Sequence, residues 1–499
     1  MKTNLFKLFA LMVVLLIGGG SMVMNAAAVS TSTSIPMKRG EYVNLSTANS
    51  QGALTIDKAS IETNDVYSVG STSEKTKLTF KFKNSTAGDY LFSFRSGTTG
   101  MTVNVNVEVT CGTYKQNSVF FVPNTGSWSR VTLHNMILKN LPQGDVTLVL
   151  TVKDRTVIDE SVAHSYAGNY GYFSITSIND YDKVSLITLS QGTYSASNMY
   201  ETAKDDVGSC KNGCTAEYIA YNDVAGAATL NIGLNRYGNG HLNLTITDIE
   251  TGKTEVSKEI EITTDNSLGL DKPTSFEVGS MTKGLKSIKF EVVTTSSYLC
   301  NYKNLGFTVA PQATVGETGF ATIGFPCAVT LPEGVKAYAI TSVNNNTVTL
   351  TQVNNTAVAA NTGLIICAKP GTYTFAQATE GDVVADNKLV ANTDAEKVAE
   401  TEQEFYVLGV TDATKKTVGM MPIAANGTVG QYKAYLPATE VTSLAKGLKI
   451  VFGDQATAIS EVEANGAEAT SNAAYNVLGQ RVNGNAKGIV IINGKKYIK

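Results

Sequence analysis

The chain has 499 residues and a net charge of −3, from 40 Lys and Arg against 43 Asp and Glu, and only 17% of its residues are charged. Nucleic acids and anionic membranes bind through a concentrated basic field, so this composition argues against both as partners. At roughly 150 residues per domain the length suggests about three domains. The 44 Gly against 10 Pro favour short strands joined by tight turns.

The N-terminus has the pattern of an export signal. Lys2 and Lys7 accompany an apolar run over residues 8–17, and the alanines at 26–28 offer a small-residue cleavage site. The run is shorter than the about 20 residues that a secure membrane span needs. We therefore predict a signal peptide over residues 1–28 and no transmembrane helix in the mature chain. A retained N-terminal anchor helix is the alternative.

Alternation of apolar and polar residues dominates the chain after residue 40. Residues 77–83 place Leu and Phe on one face and Lys and Thr on the other, and residues 101–107 repeat the pattern. Short strands of this kind, separated by turn residues, are typical of antiparallel sandwiches. Residues 69–88 and 207–226 also align without a gap, at an offset of 138 (207 − 69). We predict two similar sandwiches, over residues 40–182 and 183–310.

The sequence changes character after Pro311, where Ala, Val and Thr dominate and aromatic residues become rare. We predict a third β domain over 311–454, which resembles a domain near the C-termini of many exported proteins of gut and oral anaerobes. Residues 455–474 are small and polar and are predicted to be a linker. Residues 475–499 are predicted to form a compact motif. The predicted fold class is all-β: tandem antiparallel β-sandwich (jelly-roll) domains, a third β domain and a short C-terminal β motif.

Three segments resemble the family 6 carbohydrate-binding modules, which are galactose-binding-like β-sandwiches. They are VPNTGSW at 122–128, LPQGDVTL at 141–148 and GCTAEYIAY at 213–221. The resemblance implies that two aromatic rings and one Asn at an edge of each sandwich hold a neutral oligo- or polysaccharide. Rings stack on the apolar faces of a sugar, and amides bond its hydroxyls. By position, the implied ligand-binding residues are Phe80, Trp128 and Asn169 in the first sandwich and Tyr218, Phe276, Asn301 and Tyr302 in the second.

These assignments have alternatives in the sequence itself. Phe80 alternates with Leu78 and Phe82, so it could face the core, and Phe276 stands where the family has a Trp. Trp128 follows a turn sequence, which favours an exposed site residue over a packing role. Both late Asn residues could instead serve as turn residues.

The cysteines of the second sandwich are the other candidates for a defined role. By the family resemblance Cys210, Cys214 and Cys300 lie near the same cleft, which favours a disulfide between Cys300 and one of the other two. Export permits such a bond, and free thiols are the alternative. Cys210 and Cys214 are a weak zinc signal because no His lies near them. No cofactor is expected. Structural calcium, which related modules bind, stays open, although no Asp-rich loop indicates it.

The C-terminus resembles the sorting signal of type IX (Por) secretion. The matching segments are YNVLGQRV at 475–482 and KGIVIINGKK at 487–496. This resemblance implies the secretion machinery as a partner and a secreted or outer cell-surface location.

Catalysis is not expected. No Gly-x-Ser-x-Gly, His-Glu-x-x-His or P-loop motif occurs, and the three His residues are scattered at 134, 164 and 241. We therefore predict an exported glycan-binding protein that is not an enzyme. A surface structural or adhesion protein whose sandwiches no longer bind sugar is the alternative, and a secreted hydrolase with two carboxylates in one cleft is a third hypothesis.

Overall fold

The computed structural model describes residues 39–128, 131–161, 166–196, 198–264, 269–344, 346–393, 396–412, 414, 417–441 and 447–453, and the backbone of 474–476, 481–482, 489–492 and 495–498. The predicted signal peptide at 1–28 and nearly all of the predicted linker at 455–474 lie outside these residues. The regular secondary structure of the described residues is almost entirely β-strand, which confirms the predicted fold class. The chain divides into two compact units, Met1–Asp180 and Tyr181–Lys499.

The first unit is a sandwich of two five-stranded antiparallel sheets, with strand orders β1-β4-β9-β6-β7 and β2-β3-β10-β5-β8. A short helix precedes the strands, and the Asn44 side chain caps it by accepting from the Thr47 N–H at 3.0 Å. The elements are α1 Leu45–Ser50, β1 Leu54–Asp57, β2 Ser60–Glu62, β3 Asp65–Gly70, β4 Lys77–Asn84, β5 Gly88–Gly97, β6 Met101–Cys111, β7 Tyr114–Val122, β8 Thr132–Leu141, β9 Gly144–Val157, β10 Asn169–Ser177 and a 3-10 turn at Ile178–Asp180.

The alternation in the sequence fixes which face of each strand is buried. On β4 the Leu78, Phe80 and Phe82 side chains lie in the core, whereas Lys77 and Lys81 are exposed. Strand β6 alternates in the same way over eleven residues. Because successive strand residues point to opposite faces, a shift of one residue would expose every buried side chain, which pins the register.

The second unit begins with a second sandwich of the same topology. Its two five-stranded sheets have the orders β11-β14-β19-β16-β17 and β12-β13-β20-β15-β18. The elements are a 3-10 turn at Leu189–Gln191, β11 Thr193–Tyr194, β12 Tyr200–Glu201, β13 Asp206–Val207, β14 Thr215–Asn222, β15 Gly226–Arg236, β16 Gly240–Asp248, β17 Thr254–Ile262, β18 Gly269–Met281, β19 Gly284–Thr294 and β20 Cys300–Ala310.

The internal repeat corresponds to equivalent positions in the two sandwiches. Strands β4 and β14 begin and end 138 residues apart. The buried amides of Asn84 and Asn222 have matching roles, since each donates to a carbonyl in the turn that precedes the neighbouring strand of its sheet, β9 or β19. Asn84 donates to Pro142 O at 2.9 Å, and Asn222 donates to Thr282 O at 2.8 Å. These two shared asparagines therefore satisfy backbone carbonyls rather than a ligand.

The third β domain surrounds a mixed nine-stranded sheet of order β22-β27-β24-β25-β35-β32-β31-β34-β29, in which β25 and β35 are parallel. It packs on the second sandwich, where the Tyr432 hydroxyl accepts from the Ala225 N–H at 2.8 Å. The strands are β21 Gln312–Val315, β22 Phe320–Ile323, β23 Val329–Thr330, β24 Lys336–Asn344, β25 Thr347–Val353, β26 Ala357–Val358, β27 Leu364–Cys367, β28 Gly371–Thr374, β29 Val390–Asn392, β30 Lys397–Val398, β31 Phe405–Asp412, β32 Thr417–Pro422, β33 Thr428–Val429, β34 Lys433–Pro437 and β35 Leu448–Phe452, with a 3-10 turn at Ala438–Glu440.

The C-terminal segment forms a four-stranded antiparallel sheet of order β37-β36-β38-β39. Its strands are β36 Ala474–Asn476, β37 Arg481–Val482, β38 Ile489–Ile492 and β39 Lys495–Ile498. Across the residues with assigned structure, helices are too short or too polar to span a bilayer.

Candidate functional site

A cleft of about 360 Å³ opens at one end of the second sandwich. This size falls within the ~300–1,000 Å³ of small-molecule sites. Tyr237 and Tyr298 line it, and their side chains are 57% and 45% exposed, so both can meet a ligand. Its lining is completed by polar groups and one buried thioether: Asn198, Met199, Glu201, Gly208, Ser209 and Asn301.

Three connections bring the cleft walls together. The turn after β15 carries Tyr237, and its N–H donates to Leu299 O at 2.9 Å, next to Tyr298. Gly238 is required here because a Cβ would lie 2.4 Å from the Tyr298 carbonyl oxygen. The Leu299 N–H in turn donates to Cys210 O at 2.9 Å, which ties in the segment after β13. The turns that carry both tyrosines are thus held together by backbone hydrogen bonds before any ligand arrives.

Asn301 forms part of the cleft floor and lies over Gly208. A Cβ on Gly208 would be 2.8 Å from the Asn301 Oδ1, so the glycine leaves room for the amide. Asp206, buried beside it, has an Oδ1 without a hydrogen-bond partner among the described residues. Burial raises the pKa of Asp206 and Glu201 raises it further, whereas the Lys204 charge and, to a smaller extent, the Asn301 amide oppose both effects. Asn301 is therefore positioned between a buried carboxyl group and the open cleft.

The charges around the cleft largely balance. Glu201 forms an exposed ion pair with Lys204 at 3.0 Å. The Lys211 ammonium lies 5.3 Å from the centroid of the Tyr298 ring, a cation–π contact that orients the ring. Such a site favours a ligand that is neutral and rich in hydroxyl groups over a strongly charged one.

Asn301 is the one predicted site residue that lines this cleft. The prediction of accessible rings at Tyr218 and Tyr302 is corrected, because both side chains are buried in the core of the second sandwich. Their hydroxyl groups bond each other at 2.8 Å, and Tyr218 also bonds Tyr194 at 2.9 Å. These rings project from the inward faces of their strands, and the hydrogen bonds between the hydroxyl groups satisfy their polar ends. Phe276 is half-buried against the same core.

The first sandwich does not gather its predicted residues into one site. Phe80 is buried and packs on Phe173 at 4.9 Å between ring centroids, so the expectation of a stacking ring is corrected in favour of the core alternative. Trp128 is half-buried and packs against the core. Asn169 lies over Gly70, beside the Glu62 carboxylate. The loop before Trp128 is held to the turn after β5, where Thr98 N–H donates to Thr125 Oγ1 at 2.9 Å.

Asn169 and Asn301 are nevertheless equivalent. The next residue of each, Tyr170 or Tyr302, pairs with the buried Val69 or Val207. Tyr237, however, has no tyrosine at the equivalent position of the first sandwich. Gly97 pairs with Asn169, and Asn235 pairs with Asn301. The residue two positions after each partner is Thr99 in the first sandwich and Tyr237 in the second.

The predicted disulfide is absent from this structure, in which all six cysteines are free. Of the two alternatives for a partner of Cys300, the structure places Cys210 beside it. The Cys210 thiol, together with burial, raises the pKa of Cys300 well above its ordinary value. Cys214 is only half-buried. A bond between Cys210 and Cys300 stays a prediction for the exported protein.

Sequence reasoning missed Tyr237 and Tyr298. Tyr237 opens the turn Tyr-Gly-Asn-Gly, and an aromatic residue in a Gly-rich turn is usually exposed, so this signal was available. Tyr298 follows two Ser and has no comparable signal. Among the residues that the structure describes, no three His, Cys, Asp or Glu side chains converge as metal ligands would.

No family model matches the chain, and no curated protein matches its sequence. Among solved structures, it is similar to a family 61 carbohydrate-binding module in complex with β-1,4-galactotriose, at 15% identity and a TM-score of 0.17, covering 25% of this chain and 81% of that one. It is also similar to the tandem family 22 carbohydrate-binding modules of Xyn10C from Paenibacillus barcinonensis, at 8% identity and a TM-score of 0.17, covering 52% and 92%. At such values these likenesses say nothing about what this chain binds.

Proposed function

We propose that this protein is an exported carbohydrate-binding protein whose second sandwich holds a neutral oligo- or polysaccharide in the cleft. The observation that carries the proposal is the pair of exposed rings, Tyr237 and Tyr298, which line one cleft together with polar side chains. A sugar ring has apolar C–H faces and a rim of hydroxyl groups. The cleft offers aromatic surface for the faces and amide, hydroxyl and carboxylate groups for the rim.

Each group in the cleft has a distinct role in this proposal. The two tyrosine rings stack on the sugar and supply apolar contact area. The Asn301 amide both donates to and accepts from sugar hydroxyls, and Ser209 and Glu201 add further bonds. Because backbone hydrogen bonds already fix the turns that carry the rings, little backbone freedom is lost on binding, which favours affinity.

We further propose that the protein binds without catalysis and acts outside the cell. The cleft acids are Glu201, which is paired with Lys204, and Asp206, which is buried beneath the floor. This arrangement supports a binding role over hydrolysis by two facing carboxylates. The C-terminal segment that resembles a type IX sorting signal supports secretion or display at the outer cell surface, with the secretion machinery as partner.

The test is affinity electrophoresis of the full chain through gels containing xylan, β-1,4-galactan, mannan or mixed-linkage β-glucan. Tyr237→Ala and Tyr298→Ala each remove a stacking surface of about 1–2 kcal/mol. Each is expected to weaken binding roughly 5- to 30-fold. Tyr166→Ala is the matched control, because Tyr166 is 47% exposed in the first unit and far from the cleft in sequence.

Equal retardation of both cleft variants and the wild-type chain would reject the cleft as the binding site. Wild-type chain that migrates unretarded through all four gels would favour the second candidate, a structural or adhesion protein. That candidate draws support from the first sandwich, where the Phe80 ring lies in the core and Trp128 is half-buried.

A further inference from the structure

The outer surface of the first sandwich carries an aromatic cluster that the cleft does not explain. We call it the tyrosine–arginine cluster: Tyr42, Tyr67, Tyr172 and Arg95. Tyr67 lies on β3, Arg95 on β5 and Tyr172 on β10, which are adjacent strands of one sheet. The Tyr67 and Tyr172 rings stack with centroids 5.9 Å apart, and Tyr67 is 37% exposed. Part of the Tyr67 ring is thus presented to solvent.

Arg95 fixes the geometry of the cluster. Its guanidinium carbon lies 4.6 Å from the Tyr172 ring centroid and 5.3 Å from that of Tyr42. Its Nη2 also donates to the Tyr42 hydroxyl at 3.0 Å. A cation held against two rings in this way is attracted to their faces and restricts their rotation. The cluster is consequently ordered.

The backbone at Tyr172 is the second observation. Tyr172 adopts a left-handed conformation, with φ of 54°, within a bulge of β10. Its equivalent in the second sandwich is Asn304, with φ of 52°. Asn tolerates this region, and its amide donates to Leu270 O at 3.0 Å. A bulky ring in the same conformation is strained, and such strain is concentrated at functional sites.

Polar groups border the rings. The Asp65 carboxylate accepts from the Tyr67 N–H at 3.0 Å, which orients it. It also lies next to Tyr172 and forms a side-chain hydrogen bond with it. Burial raises the pKa of that tyrosine most, and the Asp65 charge raises it further. A flat ring with a fixed carboxylate and hydroxyl groups at its edge matches the alternating apolar and polar character of a sugar better than it matches a wholly apolar partner.

We propose that the tyrosine–arginine cluster is a second carbohydrate-binding surface, on which a neutral pyranose ring stacks against Tyr67 and bonds Asp65 through a hydroxyl group. The inference rests on the proposed function for its class of ligand, but not on the cleft. Two surfaces of this kind in one chain would let a polysaccharide be held at more than one point, and joint engagement would raise the overall affinity.

The experiment uses the full chain with both cleft tyrosines replaced (Tyr237→Ala and Tyr298→Ala) in the same four polysaccharide gels. This double variant is expected to keep measurable retardation in at least one gel. Adding Tyr67→Ala is expected to raise the remaining dissociation constant at least tenfold. Phe121→Ala is the matched control, because Phe121 is 62% exposed on β7 of the same sandwich, outside the cluster.

A second variant separates binding from folding. Tyr172→Asn installs the residue found at the equivalent position of the second sandwich, so it relieves the left-handed strain while removing the ring. We expect this variant to melt at the same temperature or higher and to lose binding as Tyr67→Ala does. A merely structural Tyr172 would give the reverse, a lower melting temperature with binding retained.

The results that would overturn the second surface differ from those that would overturn binding in the cleft. Complete loss of retardation in the cleft double variant, before any change in the cluster, would overturn the second surface and leave the proposed function standing. Retention of the residual binding after Tyr67→Ala would also overturn it. A wild-type chain that none of the four polysaccharides retards would overturn both proposals.

Discussion

The buried ion cluster of the second sandwich gives the sharpest test of how the fold is held. The Lys286 side chain is 0% exposed, and its Nζ lies 2.6 Å from Asp248 Oδ2 and 3.2 Å from Glu255. Nζ also donates to Thr282 Oγ1 at 2.7 Å. Lys286→Met would leave two buried carboxylates facing each other without their cation. Breaking a buried pair in this way costs about 3–5 kcal/mol.

That cost corresponds to roughly a 150- to 4,000-fold rise in the opened population of the second sandwich at pH 7. Hydrogen exchange of β16 and β19, followed by mass spectrometry, measures it in the full chain, with β6 of the first unit as an internal reference. Lys183→Met is the matched control. Lys183 forms an exposed pair with Asp223 at 2.8 Å and should change exchange by less than about 1 kcal/mol.

The pH dependence of stability provides the result that could refute this reasoning. Burial alone would raise the pKa of Asp248, but hydrogen bonds from Lys286 and Thr251 outweigh it and lower the pKa below 3.8. Its stabilising contribution is therefore present above pH 3.8 and lost as the pH falls through the lower folded value. The difference between wild type and Lys286→Met should narrow as both are acidified. A difference that is small at pH 7, or constant to pH 3, would contradict this reasoning.

Two further predictions concern His134 and Gly208. Burial lowers the pKa of His134 from 6.5 to about 4, so the first sandwich should lose roughly 3 kcal/mol as the pH falls through that window. Thermal melts should show this loss in the wild type, and an equal loss in His134→Gln would contradict it. Gly208→Ala should displace the Asn301 amide and weaken glycan retardation several-fold with little change in melting. Gly316→Ala, which has open space around it, is the control, and unaltered retardation of the Gly208 variant would count against a role for Asn301.

The sequence by itself determined the all-β class and the duplication. Alternation over residues 77–83 predicts a strand with one buried face, and the gapless repeat predicts a second copy at the same spacing, because strand length and turn position are local properties. The family resemblance also pointed to Asn301, which the structure places at the start of β20 and in the lining of the cleft. These features depend on neighbours along the chain.

The tertiary structure decided which rings are open to a ligand. A strand pattern cannot say which face meets the opposing sheet at the sandwich edge, so Tyr218 could not be assigned to the core in advance. Tyr237 and Tyr298 lie in separate turns, and only the adjacency of β15 and β20 brings those turns together. The left-handed backbone of Tyr172 depends in the same way on a bulge set by strand pairing. Contacts between distant segments, which local sequence does not encode, place every aromatic group that we propose to bind sugar.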